Sequence, residues 1–215
     1  PVIKHDRRND MTTLRRHVWL TYDAMEDEPD VVIWPETAMP GYYQNLGLSY
    51  VTVSGLVSRI DAPLLSGFAR YEANDDGTPR YYNAVGLVKE SGIDVWYDKQ
   101  HLVMFGEYVP LQRYFPFLSL VTPIDGSYSP GGEPRLIPVD GVTFGPLICF
   151  EDVFSYLARD MARRGADILL NVTNDGWFKS SPEPYQHAAL AAFRAVEVRR
   201  PLLRATNTGV TVLID

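Results

Sequence analysis

From Val142 onward the chain alternates in a way that few architectures accommodate. Val142 to Ile148 is an apolar run of strand length, and Asp152 to Arg164 follows with helical spacing. Asp167 to Asn171 reads as a strand, Tyr185 to Arg199 as a second helix, and Leu202 to Ala205 and Val210 to Ile214 as closing strands. Strands that alternate with helices predict an α/β layered domain.

The first half is less regular. Asp10 to Met25 places Met11, Leu14, Val18 and Tyr22 at amphipathic helix spacing, and Val31 to Trp34 is a short buried strand that stops at Pro35 and Glu36. Tyr50 to Ile60 reads as a helix. Leu64 to Tyr71 and Tyr81 to Val88 read as paired strands joined across the turn residues Asp75, Asp76 and Gly77, with Val95 to Lys99 as a further strand. Phe105 to Pro134 is rich in Pro, Gly and aromatics and has little periodicity. Loops of that length often serve as functional lids, and Phe105, Tyr108, Tyr114, Phe115, Phe117 and Leu118 give this one a greasy composition.

At 215 residues, with 46% hydrophobic and 22% charged residues, the chain has the size and composition of one globular domain. Its net charge of −7, with no stripe of Lys or Arg, argues against nucleic acid as a partner. No run is long and apolar enough to span a bilayer, and the charged start, PVIKHDRRND, lacks the apolar core of a signal peptide. One cysteine excludes an intrachain disulfide. His101 and His187 lack a second ligand at helical spacing, so neither a metal nor a cofactor is expected.

That one cysteine, Cys149, stands at the end of the strand VTFGPLI and before a helix whose positive end would favour thiolate. A lone cysteine is also commonly a small buried hydrophobe. Two other strand ends decide between these readings. Glu36 follows the rigid Trp34-Pro35 pair, where a partly desolvated carboxylate is a usable base. Lys99 closes VWYDK, where an ammonium can stabilise charge developing on a carbonyl oxygen. A free thiol is only about 3% ionised at pH 7, so a base and a cation beside it raise its reactivity. Asn174, Asp175, Gly176 and Trp177 form a further turn after a strand.

These segments resemble the carbon–nitrogen hydrolase (nitrilase) superfamily, whose members carry a Glu-Lys-Cys triad on an αββα sandwich. The resemblance is nearest to the apolipoprotein N-acyltransferase branch. It rests on VVIWPETAMP (31–40), YDKQHLVMFGEYVPL (97–111), ICFED (148–152), NVTNDGWF (171–178) and QHAALAAFRAVEVRRPLLRATNTGVTVLI (186–214). KQHLVMFGEYVP and RPLLRATNTGVT are the distinctive stretches, since soluble amidases share the triad without them.

The resemblance implies an α/β fold of four layers, αββα, with the chain as a single domain. In the family a strand precedes the Asp10 helix, further strands follow Asp215, and a transmembrane region is attached. These are expected to be missing here, which leaves the sandwich incomplete at both ends. It also implies that Cys149 takes an acyl chain from a phospholipid as a thioester, with Glu36 as general base and Lys99 holding the oxyanion. Glu107 and Glu151 match supporting acids: Glu107 would orient Lys99 or the base, and Glu151 would assist the site or cap the following helix. Phe150, Phe105, Tyr108 and Trp177 would line the path of the acyl chain. The implied acceptor is a diacylglyceryl-modified apolipoprotein, at the bacterial inner membrane with this domain facing the periplasm. Two alternatives stand beside this reading: a soluble amidase of the same superfamily, and a binding module whose chemistry has lapsed.

Overall fold

The computed structural model describes residues 7–42, 47–111, 114, 127–178 and 181–215. Its first sheet contains β1 (Val32–Ile33), β2 (Met39–Tyr42), β3 (Leu64–Ala73), β4 (Pro79–Lys89) and β5 (Gly92–Asp98), in the order β1-β3-β4-β5 with β2 also paired to β3. The second contains β6 (Ile137–Val139), β7 (Val142–Ile148), β8 (Ile168–Thr173), β9 (Leu202–Thr206) and β10 (Val212–Ile214), in the order β10-β9-β8-β7-β6. β4 and β5 of the first sheet pack on β6 and β7 of the second. Helices α1 (Arg7–Ala24) and α2 (Leu48–Val57) pack on the first sheet, and α3 (Ser155–Arg163) and α4 (Glu183–Val198) on the second. The layers therefore run α, β, β, α, the α/β layering that the sequence pattern predicts in the four-layer form that the resemblance implies.

Apolar residues explain the stacking. Leu65, Val85, Leu87 and Tyr97 of the first sheet share one buried cluster with Phe144, Leu147, Leu169, Leu170, Leu202 and the α3 residues Leu157, Ala158 and Met161. A second cluster places Leu14 of α1 and Val53 and Leu56 of α2 against Trp34, Leu64 and Phe68. β7, β8 and β9 are parallel and mostly buried, which is why they read as continuous apolar runs. The β3–β4 hairpin closes at the expected turn, where Asp76 accepts the Thr78 N–H at 2.9 Å.

Four local readings need correction. β2 carries Pro40 and Gly41 and β6 carries Pro138, residues that disguise strands; β6 tolerates its proline because it lies at a sheet edge. The helix expected from Asp152 starts only at Ser155, because Cys149–Val153 form a 3-10 turn with Glu151 and Asp152 turned inward. The inward face of α1 ends at Thr21, not at Tyr22, which is exposed; Thr21 Oγ1 accepts the Trp34 indole N–H at 2.9 Å. In the long loop, Phe105 and Tyr114 are exposed and Tyr108 is half-buried, while Phe115, Phe117 and Leu118 lie outside the described residues.

Candidate active site

Glu36, Lys99 and Cys149 each follow the end of a different strand, and the stacking of the sheets brings them together. Glu36 lies just past β1, whose extension is fixed by the Trp34 N–H bonded to Leu65 O at 2.8 Å. β3 can pass directly beneath it because residue 67 is glycine; a Cβ there would stand 2.7 Å from Glu36 Cα. Lys99 immediately follows β5, its backbone N–H bonded to Asn83 O at 2.8 Å and its side chain 1% exposed. Its ammonium lies 2.8 Å from Glu107 Oε2 and 3.9 Å from Glu36 Oε1. Asn83, on β4, donates to both acids, at 2.7 Å to Glu36 and 3.1 Å to Glu107, and so locks them into one array. Glu107 also accepts the Val103 N–H at 2.8 Å, which ties the loop to the site.

Cys149 immediately follows β7 and is half-buried. Its backbone φ of +52° lies in the left-handed region, which L residues other than Asn, Asp and His rarely adopt. Asn171 of β8 holds this strained turn, its amide donating to Cys149 O at 3.0 Å and to Leu147 O at 3.1 Å. Burial pushes the Cys149 thiol up to about 12, reinforced by the Glu36 carboxylate; Lys99 and a hydrogen bond from Thr173 pull the other way. The expectation of a thiolate favoured by a helix end is therefore corrected. The residues after Cys149 form a 3-10 turn with no long dipole, and the resting sulfur keeps its proton. Burial also works to lower the Lys99 ammonium, but Cys149 in its thiolate form and then Glu107, Glu36 and Glu151 outweigh it, and Lys99 stays charged.

Glu151 does more than cap a helix. It is fully buried, takes the Ile148 N–H at 2.8 Å, and reaches across to the first sheet for the N–H groups of Gln100 at 2.7 Å and His101 at 2.9 Å and the Tyr97 hydroxyl at 2.9 Å. One carboxylate thus joins the strand end that bears Lys99 to the strand end that bears Cys149. Burial drives Glu151 up to about 7, against the pull of Lys99 and the three backbone donors.

Behind Cys149 lies a buried cluster that the sequence did not reveal. Arg204 of β9 donates to Asp152 Oδ2 at 2.6 Å, to Asn171 Oδ1 at 2.6 Å and to Asp175 Oδ2 at 3.0 Å. The His187 ring lies between Asp152 and Asp175, 2.8 Å from each. All four side chains are completely buried, with Arg204 and the His187 ring set against two carboxylates. Gly209 lets the loop after β9 close on Asp175, which any Cβ would strike.

Burial works against the His187 imidazolium, but its hydrogen bonds to Asp152 and Asp175 prevail and raise it to about 9. A raised folded-state value stabilises the protein fully below pH 6.5, and the benefit disappears as the pH climbs through about 9. Urea unfolding is expected to show a loss of about 3 kcal/mol across that interval. His187→Gln should remove that slope; an unchanged pH dependence would mean that the ring stays neutral.

The aromatic candidates are dispersed. Phe150 is half-buried, edge-on to Phe154 with centroids 5.9 Å apart and equally far from His187. Phe105 and Trp177 are 48% and 50% exposed. His101 stacks on Phe154 and meets the Tyr156 hydroxyl at 3.1 Å. Among the described residues no group of His, Cys, Asp and Glu is arranged to hold a metal ion, and no helix is long and apolar enough to cross a membrane.

Several known proteins are similar to this chain in sequence or in fold. A sequence from Bdellovibrio bacteriovorus named Apolipoprotein N-acyltransferase is 39% identical over 93% of this chain and 39% of its own length. One of the same name from Brucella melitensis is 36% identical over 99% of this chain and 41% of its own. The chain thus spans about two fifths of these curated relatives. Among solved structures, a Saccharomyces cerevisiae member of the nitrilase superfamily superposes with a TM-score of 0.66 at 21% identity, over 96% of this chain and 77% of that one. An amidase from Nesterenkonia sp. gives 0.65 at 17%, over 92% and 70%. At such identities the two structures speak for the fold alone. The carbon–nitrogen hydrolase family profile matches residues 6–215, and with two facing sheets, two helices on each and Cys149 between them, the chain belongs to the carbon–nitrogen hydrolase family.

Proposed function

We propose that this chain is the catalytic domain of an apolipoprotein N-acyltransferase, moving a fatty acyl chain from a phospholipid to the N-terminal amine of a diacylglyceryl-cysteine lipoprotein. The observation that carries the reading is the convergence of Glu36, Lys99 and Cys149 in a chain 36–39% identical to relatives of that name. The relatives' additional length leaves room for a membrane region, and the reading places this domain on the periplasmic side of the bacterial inner membrane.

In the first half-reaction Glu36 takes the thiol proton as sulfur attacks the ester carbonyl. The resting thiol is neutral, so deprotonation accompanies attack. Lys99 faces the developing oxyanion and is held there by Glu107. The C–O bond then breaks, the lysophospholipid leaves as an alcohol with the proton from Glu36, and an acyl thioester remains on Cys149. In the second half the lipoprotein amine attacks that thioester, Glu36 takes the amine proton, and as the C–S bond breaks Glu36 passes that proton to sulfur, leaving an amide and the restored thiol. Of the aromatic candidates, Phe150 and Tyr108 adjoin Cys149 and Glu107 in sequence and would meet the acyl chain first, while Phe105 and Trp177 are exposed where a lipid could reach them.

The test uses the full-length protein in membranes containing phospholipid with a tagged acyl chain. A hydroxylamine-labile adduct on the Cys149 peptide, absent in Cys149→Ala and passed on to a lipopeptide amine, is the expected result. No adduct, together with hydrolysis of small soluble amides, would transfer the case to an amidase.

A further inference from the structure

The mechanism gives each charged group near Cys149 an assignment. Glu36 carries the proton, Lys99 faces the carbonyl oxygen, and Glu107 holds Lys99. None is reserved for the sulfur, which becomes negative twice: when the thiol is deprotonated, and again when the amine expels it from the thioester.

One uncharged donor occupies the right place. β7 and β8 are parallel and pair Ile148 with Val172. The next residue of each strand is Cys149 and Thr173, so the register sets Thr173 beside the nucleophile. Its side chain is completely buried, and its hydroxyl is close enough to the cysteine to pull the thiol down, against the effect of burial. The same oxygen lies 3.5 Å from Asp175 Oδ1, a long contact. That Asp175 oxygen already has His187 at 2.8 Å, and its other oxygen has Arg204 at 3.0 Å. The acid is satisfied without the threonine, so the hydroxyl proton can turn to sulfur without leaving a carboxylate unpaired.

We propose that Thr173 is a further catalytic residue, whose hydroxyl donates to the Cys149 sulfur whenever that sulfur is negative. When Glu36 removes the thiol proton, the electron pair left on sulfur accepts the Thr173 O–H. When the amine nitrogen bonds to the thioester carbon and the C–S bond breaks, the departing pair returns to sulfur and finds the same donor. Thr173 never gives its proton away, so no proton need be returned to it. Its counterpart groups are all accounted for: Glu36, Lys99 and Glu107 face the sulfur from the first sheet and the loop after β5. Asp175 faces the threonine from its own strand end, backed by His187 and Arg204.

This inference rests on Cys149 as nucleophile, but its test needs no acyl substrate. In the full-length protein, iodoacetamide alkylation of the Cys149 peptide is followed by mass spectrometry from pH 6 to 10. Thr173→Val keeps the shape and removes the donor; Thr173→Ser keeps the donor. A hydrogen bond to a charged sulfur predicts that the valine variant reacts about tenfold more slowly at each pH below the thiol's titration, its profile displaced upward by about one pH unit, while serine restores the wild-type profile. Equal profiles for valine and wild type would overturn the proposal. So would serine as slow as valine, because the methyl group's packing would then be what mattered. A wild-type Cys149 that alkylates normally yet forms no acyl adduct would instead sink the acyltransferase reading, and the comparison of variants would still stand.

Discussion

Arg204→Met is expected to lower the unfolding free energy by about 3–5 kcal/mol, a large part of the 5–15 kcal/mol typical of a folded domain. The magnitude comes from what is left behind. Arg204 is completely buried and bonded to Asp152, Asp175 and Asn171, and its removal leaves two carboxylates in the interior with only His187 between them. Urea unfolding at pH 7 measures the effect. The double variant Arg204→Met, Asp175→Asn should recover part of the loss, since one stranded charge goes with it. A single variant that unfolds at the wild-type midpoint would show that the interior admits water to this cluster.

Glu36→Gln is expected to slow formation of the acyl adduct by about 10²- to 10⁴-fold while leaving stability nearly unchanged, the range typical of a lost general base. The glutamine keeps an oxygen to accept the Asn83 amide, so the array stays in place and only proton transfer is lost. Because the resting thiol is protonated, the deficit should appear in the acylation step itself. An adduct formed at the wild-type rate would mean that another group takes the proton.

The α/β alternation, the strands β3 to β5 and β7 to β10, and the three strand-end residues were all readable, since each is an apolar run interrupted by a polar residue where the strand stops. The rest was hidden for identifiable reasons. Asn83 and Asn171 sit inside strands, where a single polar residue looks like a solvent-facing position; here each points into the site and fixes a partner's geometry. Arg204 lay within the segment RPLLRATNTGVT, but nothing local marks an arginine as buried, and its partners are 17 to 52 residues away. His187 was weighed as a ligand because isolated histidines invite it; its partners Asp152 and Asp175 come from two separate turns. The thiol's environment could not be read either, because it depends on how deeply the opposing sheet covers it.

The site is divided across the seam between the sheets. Glu36, Lys99 and Glu107 come from the early half of the chain, Cys149 from the later half, and Arg204 from near the end of the sequence. Emergence of the chain during synthesis therefore sets the order in which the reactive group is assembled. A nascent polypeptide that ends at β8 carries a cysteine with no complete clamp behind it, and one whose sheets have not closed has no base or cation beside the sulfur. On the reading proposed above, acylation at Cys149 would certify finished folding, because only molecules whose sheets have closed would bring base and cation to the sulfur.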